Sequence, residues 1–303
     1  MTTSMTDRQI LAHLGHADAE ELGAGGEARV FALDEERIAR LLHPGAALAD
    51  AQARAALLAE IADGAAHLPF RTPEVQEVRD IGGRVVTIEA RLAGLLLPRA
   101  LALLDGRRRG ALMCNYLDMA AMLSGIALKR AFFGPILGDP TARRASWAGY
   151  LDARKAQSAA ASPGDLRRAI TAIGPAGLPD PQAPRLVHLD YFPGNVLAAG
   201  ETITAVLDFG VSAIMGDSRM ECWSAVAYLD TEISPDLLDV DRRHARDWLA
   251  EHDLLEHFPA ARKWLAAYWS FAQDDAALMR WCRKILLGNS RKAPPDPPGN
   301  EIG

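Results

Sequence analysis

The stretch from Leu186 to Gly210 constrains this chain more than any other part of it. It reads Leu186-Val187-His188-Leu189-Asp190-Tyr191-Phe192-Pro193-Gly194-Asn195-Val196-Leu197, then Ile203-Thr204-Ala205-Val206-Leu207-Asp208-Phe209-Gly210. Residues 196–198 and 203–207 have the texture of two short strands around a turn at Ala199-Gly200. An antiparallel hairpin of that length holds Asn195 and Asp208 at one end, because Asn195 opens the first strand and Asp208 follows the second. Asp190 falls on the loop just ahead. A neutral amide oxygen and a carboxylate together suit a hard cation that keeps part of its water, and a further carboxylate can orient a hydroxyl and take its proton. On that chemistry Asp190 is the candidate catalytic residue of a phosphoryl-transfer site, and Asn195 and Asp208 are its candidate Mg2+ ligands. His188 reads better as a brace for the loop than as a base.

The residues before this stretch change character twice. Thr6 to Leu14 carries helical apolar spacing, with Thr6 as an N-cap. A Gly-rich run, Gly23-Ala24-Gly25-Gly26, then leads into Arg29–Leu33 and Arg37–Leu42, two antiparallel strands about a turn at Asp34–Glu36. Ala46 to Ala66 is strongly helix-forming and is closed by Pro69 and Pro73. Val75–Val78 and Arg84–Glu89 make a second hairpin around Gly82-Gly83. Past Gly94 the texture is helical: Ala111 to Ile126 has an apolar stripe too broad for a surface helix, and helices are expected at about 239–251 and 262–287. The tail from Ala293, with four prolines, is expected to be disordered. No internal repeat occurs.

Composition narrows the partners. With 33 basic against 39 acidic side chains, a net charge of -6, the chain lacks the basic field of a general nucleic-acid binder. The run Arg107-Arg108-Arg109 reads as a solvated loop. Cys114, Cys222 and Cys282 are widely spaced and form no CxxC pair, which argues against a disulfide framework or zinc site and for reduced, cytoplasmic thiols. No leader is apparent, and Leu92–Leu104 is interrupted by Pro98 and Arg99, so neither a signal peptide nor a membrane span is expected. A length of 303 residues favours two packed lobes with a cleft between them.

A histidine, an aspartate two residues on, an asparagine five beyond that and a later Asp-Phe-Gly resemble the kinase pattern. Phe192-Pro193-Gly194-Asn195 makes the chain resemble the aminoglycoside phosphotransferase and choline kinase-like family in particular, although Leu189 stands where that family usually has glycine. The segment Gly216-Asp217 to Glu221 is similar to the family's Gly-Asp-Pro and acidic segment, with Glu221 replacing an aspartate. No Ala-Pro-Glu follows, which argues against peptide substrates. The resemblance spans about residues 20–285 and implies an α+β, two-lobed, protein-kinase-like fold. Residues 1–93 would form a small antiparallel-sheet lobe, 94–290 a larger, mainly helical lobe, and 291–303 a disordered tail.

The resemblance also implies ATP and Mg2+ as cofactors. Gly23, Gly25 and Gly26 would form a phosphate-covering turn, although a plain hairpin turn explains the same glycines equally well. Arg40 occupies the place of the phosphate-pairing lysine, with Glu60 as its ion-pair partner. Arginine there keeps the charge but changes its reach. Glu89, Ala90 and Arg91 would form the hinge, backbone groups near Ala90 and Arg91 meeting the purine edge. The acceptor would be a small-molecule hydroxyl, in a cationic molecule if the acids Asp230, Glu232, Asp236, Asp239 and Asp241 line its approach; a solvated helix start near Ser234 explains those acids equally well. The aromatic group Trp264, Tyr268, Trp269, Phe271 and Trp281 reads first as core and second as a pocket wall. A nucleotide-binding pseudokinase or scaffold is the rival reading, and the oligomeric state is left open.

Overall fold

The computed structural model describes residues 5–174 and 177–288, so the tail expected to be disordered lies outside the described residues. The chain opens with α1 (Asp7–His13), set by a capping box in which Thr6 and Gln9 satisfy each other's exposed amides. Strands β1 (Glu21–Ala24), β2 (Ala28–Ala32) and β3 (Arg37–Leu42) follow, then α2 (Leu48–Gly64), β4 (Val75–Ile81) and β5 (Arg84–Ala90). The five strands form one antiparallel sheet in the order β1-β2-β3-β5-β4. Strand β5 is covered on both faces, and its Val85-Val86-Thr87-Ile88 run is the residue type such a position favours. Ile10 and Leu11 of α1 bury one face of the sheet together with Phe31, Leu41, Val86 and Ile88.

Helix α2 behaves differently. Its Leu57, Leu58 and Ile61 belong to the large apolar core built by the helices that follow, not to the core of the sheet. The two cores therefore do not divide at the lobe boundary expected near residue 93.

After the sheet come β6 (Leu95–Leu96), α3 (Leu97–Ala102), α4 (Gly106–Leu123) and β7 (Gly134–Pro135), followed by α5 (Trp147–Ala161) and α6 (Gly164–Thr171). Then come β8 (Arg185–Val187), β9 (Val196–Ala199), β10 (Thr202–Val206) and β11 (Ile214–Gly216). Helices α7 (Arg219–Ala227), α8 (Asp239–Glu251), α9 (Phe258–Trp269) and α10 (Ala276–Leu287) follow. The β9–β10 hairpin is the one expected from sequence, and β6 adds to its edge.

The structure revises several expectations. Arg107–Arg109 lies in the first turn of α4, not in a loop, and Arg109 is buried with Nε and Nη2 of its guanidinium on Asp241, at 2.7 and 2.6 Å. The helix expected over 262–287 is two, broken around Ser270–Asp275, where the Asp275 carboxylate caps α10. The next helix after the acidic stretch starts at Asp239, not near Ser234. Most of the supposed acidic rim is paired: Asp230 with Lys284, Glu232 with Arg280, Asp239 with Arg242 and Asp241 with Arg109. Trp264, Tyr268 and Trp281 are buried, whereas Phe271 is exposed. All three cysteines are free, and no described helix is long and apolar enough to cross a membrane.

Candidate active site

The loop between β8 and β9 is held from several sides. His188 is fully buried between the Leu207 carbonyl, 2.7 Å from Nε2, and the Asp190 amide, 3.2 Å from Nδ1. A carbonyl only accepts, so Nε2 carries the proton and Nδ1 accepts one from the amide; burial holds the ring's pKa below its usual value and keeps it neutral. His188 is thus the brace that the sequence indicates. Beneath it, Oε2 of the buried Glu221 accepts the His188 amide, while Oε1 has no partner. Burial pushes Glu221 up to about 8, against the stabilising amides of His188 and Leu189. Tyr116 and Tyr191 stack at 4.8 Å and each donates its hydroxyl to the other's carbonyl. Leu189, in the family's glycine position, has φ 62°, which explains why a glycine suits it.

Asn195 ties the candidate groups together. Its Nδ2 donates to the Asp190 carbonyl at 3.0 Å and to Asp190 Oδ2 at 3.1 Å, and its backbone carbonyl accepts the Leu207 amide at 2.8 Å. Asp208 follows directly, at φ 58°. Burial first, and then the neighbouring Asp208 charge, push Asp190 up to about 7, with the Asn195 amide working the other way. Asp208 lies below the usual carboxylate range: burial works to raise it, but the guanidiniums of Arg40 and Arg54 outweigh that.

Arg40 projects from β3 with Nη1 3.1 Å from Asp208 Oδ1 and Nε 3.9 Å from Glu89 Oε1. Glu60 is not its partner. The Glu60 carboxylate pairs instead with Arg130, at 3.0 Å to Nη1, and this corrects the sequence-based assignment. The arginine facing Glu89 from α2 is Arg54, a residue that motif spacing does not single out; its Nη1 lies 2.9 Å from Glu89 Oε1 and its Nε donates to the Phe209 carbonyl at 3.2 Å. Helical period carried the signal, because Arg54 lies four and seven residues before the buried Leu58 and Ile61, while Glu60 falls off that stripe.

The remaining positions sit around this network. Gly25 and Gly26 turn between β1 and β2, with Gly23 in β1, and the His43 ring lies 2.9 Å from the Gly25 carbonyl. A Cβ at Gly23, Gly25 or Gly26 would meet nothing within 4 Å and none has a positive φ, so the fold itself does not demand glycine there. Where the sequence leads one to expect a hinge, the structure removes two donors: the Ala90 amide is held by the Glu74 carbonyl at 3.0 Å and the Arg91 amide by the Glu36 carbonyl at 2.7 Å. Glu89 is buried and accepts Thr87 Oγ1 at 2.8 Å. Among the described residues, no three His, Cys, Asp or Glu side chains gather to hold a metal by themselves. The oxygens of Asp208 and Asn195 are hard donors, of the kind that would suit a magnesium ion.

A sheet lobe over a helical lobe, with this loop and hairpin facing an arginine on the sheet, defines a protein-kinase-like phosphotransferase fold. The model of the phosphotransferase enzyme family (APH) matches residues 18–254, and the chain belongs to that family. Among solved structures it is similar to the APH(2")-IIa of a streptomycin–ATP ternary complex, at TM-score 0.61 and 14% identity, covering 94% of this chain and 97% of that one. Macrolide 2'-phosphotransferase MphH from Brachybacterium faecium gives TM-score 0.54 at 19% identity, covering 94% and 98%. A Plasmodium vivax ethanolamine kinase gives TM-score 0.52 at 11% identity, covering 92% and 86%. No curated protein matches the sequence.

Proposed function

We propose that the protein transfers the γ-phosphoryl group of ATP, with magnesium, to a hydroxyl of a small molecule, an aminoglycoside-like or amino-alcohol acceptor, in the cytoplasm. The observation that carries this reading is the bond from Asn195 Nδ2 to Asp190 Oδ2 at 3.1 Å, on a chain whose Asp208 follows from the paired strand. It puts the candidate acid–base group next to the candidate metal ligands. Asp190, pushed up to about 7, is poised to accept a hydroxyl proton at neutral pH and to aim that oxygen at phosphorus. Magnesium held by Asn195 and Asp208 would neutralise phosphate charge. Arg40 adds a fixed positive charge, and Gly25 and Gly26 leave the turn without side chains, although the Gly25 amide is already held by the Ala28 carbonyl at 2.9 Å. An acceptor of either kind named here carries an amine, but paired acids weaken the case for a cation-attracting rim.

One observation favours the alternative of a nucleotide-binding pseudokinase or scaffold: Arg40 lies 3.1 Å from Asp208, on a carboxylate that transfer chemistry needs for the metal. An ADP-release screen of the purified protein against aminoglycosides, macrolides, amino alcohols, sugars and hydroxy amino acids separates the two. Transfer predicts acceptor-dependent release that drops by about a thousandfold in Asp190→Asn. Magnesium-dependent ATP binding with no release for any acceptor would establish the alternative.

A further inference from the structure

The sheet arginine and the helix facing it are coupled here with an unusual polarity. Glu89 on β5 is a buried carboxylate whose Oε1 accepts Arg54 Nη1 at 2.9 Å and Thr87 Oγ1 at 2.8 Å, with Arg40 Nε at 3.9 Å. The cation comes from the helix and the anion from the strand beside Arg40, two residues along the same face from Thr87, which pairs with Arg40 in the sheet. Arg54 reaches further. Its Nε holds the Phe209 carbonyl at 3.2 Å, and its Nη2, buried and without a hydrogen-bond acceptor, lies 4.0 Å from Asp208 Oδ1. One guanidinium therefore touches the partner of Arg40, the backbone that follows Asp208, and the surroundings of Asp208 itself.

We propose that Arg54 is a positioning residue for nucleotide binding: from α2 it fixes Arg40 through Glu89, and Asp208 through the Phe209 carbonyl. The inference rests on the reading of this cleft as the ATP and magnesium site. Arg40 and Arg54 face Glu89 and Asp208, with the more exposed Glu27 Oε2 4.0 Å from Arg40 Nη2, so were Asp208 turned toward a metal, Glu89 would stay neutralised by Arg54, and Arg40 would be left to phosphate with Glu27 as its exposed neighbour. Helix α2 is suited to the task because Leu57, Leu58 and Ile61 anchor it in the core of the catalytic lobe. A strut on that helix sets the strand arginine relative to the Asp-Phe-Gly segment, and errors of position there are costly.

Isothermal titration with ATP, with and without magnesium, tests this on the wild type, Arg54→Met, Arg54→Lys, Glu89→Gln and the Arg54→Met/Glu89→Gln double variant, each with a thermal melt of the free protein. Arg54→Met is expected to weaken binding in magnesium by about tenfold or more while its melt stays cooperative. Arg54→Lys should recover part of the loss, having the charge but not the fork. The double variant should be no weaker than the worse single one, since both changes cut the same path. Should Arg54→Met not fold, Arg54→Lys and Glu89→Gln carry the test by their loss of affinity in magnesium. Wild-type affinity in the folded variants, or losses that multiply in the double one, would overturn the role of Arg54 alone. A wild type that binds no nucleotide would overturn the reading of the cleft, and this inference with it.

Discussion

Leu189 shows two local demands in conflict. Its backbone sits at φ 62°, where a leucine costs about 1 kcal/mol, yet its side chain is fully buried in the main core. Emptying a buried leucine site costs about 3–5 kcal/mol, so packing outweighs strain. Leu189→Gly, although it restores the family's usual residue, is expected to destabilise the protein by about 2–4 kcal/mol in urea unfolding; a gain in stability would show that strain dominates. Asp190 yields a prediction with a definite sign. Its carboxyl is raised to about 7, and transfer needs it deprotonated, so kcat/KM should climb about tenfold per pH unit up to roughly 7 and level off above. A profile flat from pH 5 to 9 would remove Asp190 from the rate-limiting chemistry. The spacing of histidine, aspartate, asparagine and Asp-Phe-Gly made these residues visible in the sequence, because loop and hairpin are local and their geometry follows from a few adjacent positions. The left-handed turn at Leu189 was marked only by the absence of the expected glycine.

Elements carried by short-range patterns were readable, and those fixed by distant partners were not. Both sheet hairpins, α2, α8 and the strand character that begins at Arg185 announce themselves by period and composition, whereas β7 and β11 are short strands whose pairing joins segments far apart in the chain. The same distinction explains Glu60. Family analogy selects an acid on α2, but the buried stripe of that helix runs through Arg54, Leu58 and Ile61, and Glu60 points to Arg130 across a partly exposed ion pair. Glu60→Gln should therefore leave ATP affinity unchanged and lower stability by less than about 1 kcal/mol. A large loss of affinity, measured by titration, would return Glu60 to the nucleotide site.

At the scale of the whole molecule, one buried ion pair ties three helices. Arg109 at the start of α4 holds Asp241 of α8 with two hydrogen bonds and the Leu101 carbonyl of α3 with a third, at 2.7 Å. Charge runs read alone suggest solvent for Arg107–Arg109, since nothing in the sequence shows an acid 132 residues away. Asp241→Ala would strand a buried guanidinium, and a loss of about 3–5 kcal/mol is expected in urea unfolding. An unchanged midpoint would mean that water reaches the pair.

The backbone also passes the β9–β10 hairpin twice. Arg71 bonds to Thr204 and Val206 on one side, at 2.9 and 3.0 Å. On the other, Thr204 Oγ1 donates to the Ala93 carbonyl at 2.7 Å, β6 pairs with β9, and a Cβ at Gly94 would lie 2.6 Å from Thr204 Oγ1. Both crossings grip the strands that lead into Asn195 and Asp208. If the sheet lobe rocks, the motion passes through these two crossings, whose bonds hold the hairpin in place. Arg40 and the glycine turn would sweep an arc while Asn195 and Asp208 stay still, so the moving half of the molecule would be the one that meets the nucleotide and the stationary half the one that keeps the reaction's aim.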